Sequence, residues 1–280
     1  MKISVIIPTF NEEKVIDECL ISLSRQNYND FEVIVVDDGS TDHTVEVVNS
    51  LNTDHRTLIT LLHEKHQGPA MARNLGAKHA KGEILVFVDA DMTFDSNFLQ
   101  NLAKPIIEKK TFGTFSKEEY VSNWNNVWAK CWNINNNLPS QRRLPNDYPD
   151  HQKVFRAVLK KEFDRVGGFN KGGYTDDWTL SEKLGYEAQK ATGARFYHKN
   201  PDNLWEIFDH AKWIGKREYK LEVIGVIFAL LRSSLPVSKV VGLYKAIRYK
   251  TPQFFIYKIV YDFGIFCGII SYTLLRRGTK

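Results

Sequence analysis

Residues 84–91, Ile-Leu-Val-Phe-Val-Asp-Ala-Asp, constrain the fold of this chain more than any other stretch. Five apolar residues run straight into two carboxylates separated by one small residue. An uninterrupted apolar run this short, rich in Val and Ile and entered from Lys81-Gly82, predicts a strand buried on both faces and ending at Asp89. A strand of that kind needs layers on both sides, which points to an α/β sheet. In an open parallel sheet, ligands bind beyond the carboxyl ends of the strands. Asp89 and Asp91 are therefore expected at the mouth of a cleft. Two hard oxygen ligands there suit Mg²⁺ or Mn²⁺, which complete their shells with substrate phosphates and water. Taken alone, Asp-Ala-Asp better suits a solvated turn after a strand, and its neighbours reverse that reading.

Those neighbours repeat the pattern. Residues 3–7 predict a buried first strand stopped by Pro8, followed by Thr9-Phe10-Asn11-Glu12-Glu13, whose acids suit a first helical turn. Val15, Ile16, Cys19, Leu20 and Leu23 keep helical spacing to about Gln26. Residues 31–36 predict a second strand running into Asp37-Asp38-Gly39-Ser40-Thr41-Asp42, where Ser40, Thr41 or Asp42 can cap the next helix. Residues 58–62 predict a third strand, and Gly68-Pro69 opens a helix whose Ala70, Ala72, Gly76, Ala77 and Ala80 allow close packing. This alternation predicts βαβ units in a doubly wound, mostly parallel sheet flanked by helices, with three polar strand ends on one edge.

Cys19, Cys131 and Cys267 are widely spaced, with neither metal-ligand spacing nor a disulfide framework, which fits a reducing compartment. The short apolar run after Met1-Lys2 is too brief for a signal peptide. The net charge of +5 is unevenly spread: residues 212–280 hold 13 Lys/Arg against 3 Asp/Glu, leaving −5 on the first 211. A basic tail on an acidic body predicts a polyanionic partner for the tail.

Taken as a set, Pro8-Thr9-Phe10-Asn11-Glu12, Val35-Val36-Asp37-Asp38-Gly39-Ser40-Thr41-Asp42, Gly68-Pro69-Ala70-Met71-Ala72-Arg73-Asn74 and Asp89-Ala90-Asp91 resemble the family 2 glycosyltransferases of the GT-A fold. Val166-Gly167-Gly168-Phe169-Asn170 and Thr175-Asp176-Asp177-Trp178 look like that family's Gly-Gly-Phe segment and acidic acceptor-site motif. The resemblance covers about residues 3–215. It implies a nucleotide-sugar donor, a UDP- or GDP-sugar, a divalent metal (Mn²⁺ or Mg²⁺), and transfer with inversion to a lipid-linked or glycan acceptor. It implies donor contacts from Pro8, Thr9, Glu12, Asp38, Arg73 and Asp89, metal binding by Asp91, and Asp177 as general base beside Asp176. The family usually has Glu-Asp where this chain has Asp176-Asp177. His198, at the end of a predicted strand over 195–198, matches a position that in many relatives reaches the metal or diphosphate. In Asp209-His210-Ala211-Lys212-Trp213, Asp209 and Lys212 replace the Gln and Arg of the family's Gln-x-x-Arg-Trp motif, which speaks against a processive polymerase. The implied domains are 1–215, comprising a nucleotide-sugar-binding half (1–111) and an acceptor half (112–215), and a basic, apolar helical extension, 216–280.

Trp124, Trp128 and Trp132 fall at i, i+4 and i+8, which suits either a core face or a wall over the acceptor site. Residues 223–231 are apolar, and Thr251-Pro252 starts a helix running to about Leu275, within which Lys258 and Asp262 can pair. Its uncharged stretch, 263–275, is shorter than the ~20 residues that span a bilayer. Phe254, Phe255, Tyr257, Tyr261, Phe263 and Phe266, with Arg276 and Arg277 beyond, predict an interfacial anchor instead. Lys239, Lys245, Arg248 and Lys250 would face anionic headgroups at the cytoplasmic face of the cell membrane. A helical pair packed on the domain or on a second subunit is the alternative. No recognition motif for nucleic acid accompanies the charge. A non-catalytic nucleotide-sugar-binding scaffold is the competing function. A nucleotidyltransferase would need a glycine-rich loop after the first strand, which Pro8-Thr9-Phe10-Asn11-Glu12 lacks.

Overall fold

The computed structural model describes residues 1–51, 59–170, 176–216, 219 and 222–275. It separates into two compact units, residues 1–120 with 146–198, and residues 121–145 with 199–280.

In the first unit the chain alternates as expected: β1 (Ile3–Thr9), α1 (Ile16–Ser24), β2 (Phe31–Asp37), α2 (Thr44–Leu51), β3 (Ile59–His63), α3 (Pro69–His79), β4 (Ile84–Phe87), β5 (Met92–Phe94), α4 (Phe98–Ile107), β6 (Gly113–Phe115) and β7 (Glu119–Val121). After α5 (Val127–Asn135), which belongs to the second unit, come β8 (His151–Gln152), β9 (Ala157–Leu159), α6 (Lys160–Arg165), α7 (Asp176–Leu184), β10 (Ala188–Lys190) and β11 (Phe196–His198). The main sheet runs β3-β2-β1-β4-β9-β6-β10-β8. β1, β2, β3 and β4 are parallel, and β9 is antiparallel to both β4 and β6. A small second sheet has the order β5-β11-β7.

The period of two in the strands sorts their side chains between two cores. Ile3, Val5, Ile7, Val33, Val35, Ile84 and Val86 pack against the apolar residues of α1 and α4. Ile6, Ile34, Val36, Leu85 and Phe87 face the alanines of α3 with Phe163, Phe169 and Leu180. α3 lies close because it has no side chain at Gly76, where a Cβ would stand 2.5 Å from Ile6 Cγ2.

Two strand ends differ from expectation. β1 continues through Pro8 to Thr9, pairing Pro8 with Val36 and Thr9 with Asp37. Proline is tolerated because Ile6, of the same parity, accepts from the Val88 amide on the β4 side. Pro8 thus turns its missing N–H toward the flank where β4 has already ended. The β4 ladder stops at Phe87 rather than Asp89, and the Met92 amide donating to the Asp89 carbonyl at 3.2 Å turns the chain there. The third strand was expected over 58–62; position 58 lies outside the described residues, and β3 extends to His63.

The second unit is helical: α5, α8 (Leu204–Gly215), α9 (Glu222–Arg232), α10 (Leu235–Arg248) and α11 (Gln253–Leu275). Of the three tryptophans, Trp124 precedes α5. Trp132 is buried in a core with Cys131, Ile207, Ala246, Phe254 and Tyr257, which is the core alternative. α11 is the axis of this unit. Phe254 and Tyr257, expected on a membrane-facing side, are fully buried, and the anticipated Lys258–Asp262 pair is buried at 2.7 Å with Ser238 Oγ donating to Asp262. Arg276 and Arg277 lie outside the described residues. Among those described, residues Gln253–Thr273 of α11 are long and apolar enough to cross a bilayer, and Val223–Arg232 with Leu235–Arg248 pass the same test only as a pair bent by 54°.

α8 and α11 cross backbone to backbone. A Cβ on Gly215 would stand 2.5 Å from the Ile265 carbonyl oxygen, one on Gly264 2.6 Å from that of Phe208, and one on Gly268 would overlap that of Lys212. Backbone cannot rotate away as a side chain can. Gly268→Ala is therefore expected to cost about 2 kcal/mol in urea unfolding through overpacking. An unchanged midpoint would mean the helices separate freely.

Candidate active site

The loops that follow β1, β2 and β4 are built to face one another. Asn11 takes a left-handed conformation (φ 59°), which Asn tolerates. Its Oδ1 accepts from the Thr41 amide at 2.8 Å, and its own amide donates to Ser40 Oγ at 2.9 Å. The Glu12 amide donates to Thr44 Oγ1 and the Glu13 amide to Asp42 Oδ2, so the first loop is clamped to the second. Asp42 also accepts from the Thr44 amide at 3.1 Å, in the expected capping place at the start of α2.

The motif residues are distributed as follows. Thr9 is buried and its hydroxyl donates to the Val36 carbonyl. Asp38 is buried with Oδ1 accepting from the Gln67 amide at 2.7 Å and Oδ2 from the Gly68 amide at 2.9 Å. His66 Nδ1 stands 2.9 Å from the same carboxylate, and the Phe10 ring lies 4.2 Å from the His66 ring. Asp38 thus shapes the turn into α3, where Gly68 needs its positive φ of 96°. Arg73, buried on α3, donates to Asp89 Oδ1 at 2.9 Å, and Arg156 Nη1 donates to Asp89 Oδ2 at 3.2 Å. Burial alone would raise the Asp89 pKa; Arg156, then Arg73, then His198 outweigh it and hold the carboxyl well below the usual range. Asn74 exchanges hydrogen bonds with the Phe169 backbone at 2.8 and 2.9 Å, joining the α3 motif to the Gly-Gly-Phe segment.

Asp91 Oδ2 lies 2.8 Å from His198 Nε2, and His198 Nδ1 lies 2.9 Å from Glu119 Oε1. The small sheet makes this chain of three, since β11 pairs with β5 and sets His198 opposite Met92, next to Asp91. Asp91 and His198 are the expected cation ligands, and the structure places them side by side. The Asp91 carboxylate fits Mn²⁺ or Mg²⁺ in a site that draws its other ligands from phosphate and water, and an imidazole nitrogen beside it favours the softer Mn²⁺ over Mg²⁺. Among the described residues no group of three or more His, Cys, Asp or Glu side chains is arranged to hold a metal ion.

Negative charge accumulates here. Burial first, then Asp91 and Asp89, push the Glu12 carboxyl from 4.5 up to about 7. An acid whose pKa rises on folding keeps its proton in the folded chain where the unfolded chain has lost it. Its contribution to stability is therefore intact below the unfolded value of 4.5 and lost as pH rises toward about 7. Glu12→Gln is expected to gain on the order of 2 kcal/mol over the wild type at about pH 8, and little at about pH 4. Urea unfolding at both pH values checks this, and an equal difference at the two would show that folding does not raise the Glu12 carboxyl. Cys19 beneath the site is fully buried, and burial pushes its thiol far above the ordinary value, so it is inert as a nucleophile.

Asp176 and Asp177 occupy the first two positions of α7, with their side chains outside the described residues. His210, on α8, packs edge-on against Trp132 and lies in the second unit. Arg156 and Glu119 were not singled out from sequence. Each sits on or beside a three-residue strand with no periodicity to read, and each partner is distant: Asp89 from Arg156 by 67 positions, His198 from Glu119 by 79.

Comparison with known proteins gives the fold and the family. TarS of Staphylococcus aureus, a poly(ribitol-phosphate) beta-N-acetylglucosaminyltransferase, is 41% identical over 110 residues, 39% of this chain and 19% of the relative. The glycosyltransferase GlyG of Streptococcus pneumoniae is 36% identical over 107 residues, 38% of this chain and 36% of the relative. The matches thus span well under two thirds of those proteins' own lengths. Among solved structures, S. aureus TarS 1–349 in complex with UDP-GlcNAc superposes with a TM-score of 0.58 at 20% identity, over 98% of this chain and 92% of that one. The mannosyltransferase PcManGT from Pyrobaculum calidifontis, in complex with GDP-Man and Mn²⁺, gives 0.62 at 21%, over 99% and 88%. These likenesses establish the GT-A-like fold. The family model described as glycosyl transferase family 2 matches residues 4–167, more than half of the chain, including Asp38, Arg73, Asp89, Asp91 and Arg156 but not His198, and the chain belongs to that family.

Proposed function

We propose that this chain is an inverting glycosyltransferase that moves a sugar from a nucleotide-sugar donor to a lipid-linked or glycan acceptor, assisted by Mn²⁺ or Mg²⁺. The observation that carries the reading is the pairing of Asp91 with His198 beside an Asp89 held between Arg73 and Arg156. The solved neighbours carry UDP-GlcNAc in one case and GDP-Man with Mn²⁺ in the other, which supports a UDP- or GDP-sugar here.

In this reading Pro8, Thr9, Glu12 and Asp38 form the nucleoside side of the site. Arg73 lies by the nucleotide, and Asp89 receives a ribose or sugar hydroxyl. The two arginines keep Asp89 ionised and oriented, so it accepts without needing to move. Asp91 and His198 would hold the divalent ion, with Glu119 fixing the His198 ring. The cation, when bound, supplies Lewis-acid stabilisation of charge on the departing diphosphate. Asp177 takes the proton from the acceptor hydroxyl as that oxygen attacks the anomeric carbon from the face opposite the leaving group. One in-line displacement inverts the centre, and the nucleoside diphosphate leaves with the bonding pair. Residues 1–215 would carry this chemistry, and 216–280 would hold the chain at the cytoplasmic face of the membrane.

Calorimetric titration with UDP-, GDP- and dTDP-sugars, with Mn²⁺ and with EDTA, tests the reading. Cation-dependent binding of one donor supports it. A folded protein that binds none would favour the scaffold.

A further inference from the structure

Among the described residues of the second unit, α9 and α10 each carry more exposed large apolar side chains than any other helix. On α9, Val223, Ile224, Ile227, Phe228 and Leu231 are exposed at helical spacing. On α10, Val240, Leu243, Tyr244 and Ile247 are exposed, Val240 and Ile247 at 70% each. The other side of α10 is a stripe of small buried residues, Ser238, Gly242 and Ala246, where a Cβ on Gly242 would stand 3.3 Å from Lys258 Cβ on α11. α10 therefore turns its small side to α11 and its large apolar side outward.

We propose that this outward face of α9 and α10, and not α11, is the surface by which the chain lies on an anionic lipid bilayer. The proposal deepens the membrane-surface reading given above and rests on it. Charge complementarity selects the occupant. Residues 223–250 contain five Lys/Arg (Arg232, Lys239, Lys245, Arg248 and Lys250) and no Asp or Glu. Lys239 and Arg248, both exposed, lie on either side of the α10 apolar stripe. A cationic border around an apolar stripe, with Tyr244 and Tyr249 beside it, matches acidic headgroups above acyl chains. A second copy of the same face would bring those cations against each other.

Length sets the orientation. α9 has 11 residues and α10 has 14, so they reach about 16 and 21 Å, short of the ~30 Å hydrocarbon core. Joined as one span they would carry Arg232 at the 54° bend, at bilayer depth, where a charge is costly. Lying flat keeps Arg232, Lys239, Arg248 and Lys250 at the headgroups; Lys245, expected there too, instead turns inward, its Nζ donating to the Ile134 carbonyl at 2.7 Å. α11 is the weaker surface because its Phe254, Tyr257 and Ile269 are used up inside the unit.

Flotation of the full chain with phosphatidylcholine vesicles, with and without about one third phosphatidylglycerol, tests this at low and high salt. The wild type is expected to float only with anionic vesicles and to lose binding as salt rises. Ile227→Glu with Ile247→Glu should raise the lipid needed for half-binding at least tenfold, with an unchanged melting temperature. Lys239→Gln with Lys250→Gln, which leaves the apolar packing alone, should raise it several-fold and flatten the salt dependence. Ile256→Glu, at an exposed α11 position, should bind as the wild type. Wild-type flotation of both double variants overturns the proposal, as does loss of flotation in Ile256→Glu alone. A dimer in sedimentation velocity that the glutamate pair dissolves, with no vesicle binding by the wild type, would make the occupant a second copy. Donor titration separates the two readings. Vesicle binding without any donor binding would sink the transferase reading and leave this surface standing.

Discussion

Asp91→Asn is expected to abolish cation-dependent donor binding, weakening the donor by at least ~100-fold, about 2.8 kcal/mol. The carboxylate is 40% exposed and its contact is with His198, so an isosteric amide should leave the melting temperature nearly unchanged. An amide keeps the shape but offers a divalent ion no anionic oxygen. In the proposed site this leaves the His198 imidazole, 2.8 Å from Asp91. The decisive comparison is with EDTA. Chelation should weaken the donor for the wild type to the level of the variant and should not weaken the variant further. A variant that still binds tightly and still responds to EDTA would remove Asp91 from the cation site.

Asp177→Asn should do the opposite: donor affinity stays, and kcat falls by roughly 10²–10⁴-fold, the range associated with a lost general base. The position opens α7, whose backbone is in place from Asp176. Asp176→Asn should cost much less, because the family's base role falls on the second acid. Single-turnover kinetics with saturating donor separate the chemical step from release. If Asp177→Asn turned over at the wild-type rate, another group would be the base, and Asp176 would be next to test.

Much of the donor-side architecture was readable from residue order. β1, β2 and β4 are apolar runs too short for helices and too continuous for a half-exposed sheet, so their burial followed from composition. The glycine and alanines of α3 foretold its close approach to β1. The ends of the strands were less legible. Whether Pro8 ends β1 depends on where β4 stops, which is a property of the neighbouring strand.

The far half of the main sheet was not legible at all. β6, β9 and β10 have three residues each, too few to show a period, and β9 reverses direction through pairings 43 to 75 positions apart in sequence. The C-terminal helices show the same limit from another side. Aromatic residues at 254–266 and exposed apolar residues at 223–247 look alike as sequence.

By itself the sequence determined the layered α/β class, the family, and the acids and bases that collect at the strand ends, because local periodicity and motif spacing survive without knowledge of contacts. Only the tertiary structure decided that Arg156 completes the grip on Asp89, that Glu119 steadies His198, and that α11 buries Phe254, Tyr257 and Ile269 while α9 and α10 leave most of their large apolar residues exposed. Each of these depends on which distant segment covers a side chain, and burial and charge pairing are settled by that packing rather than by the residue's own neighbours in the chain.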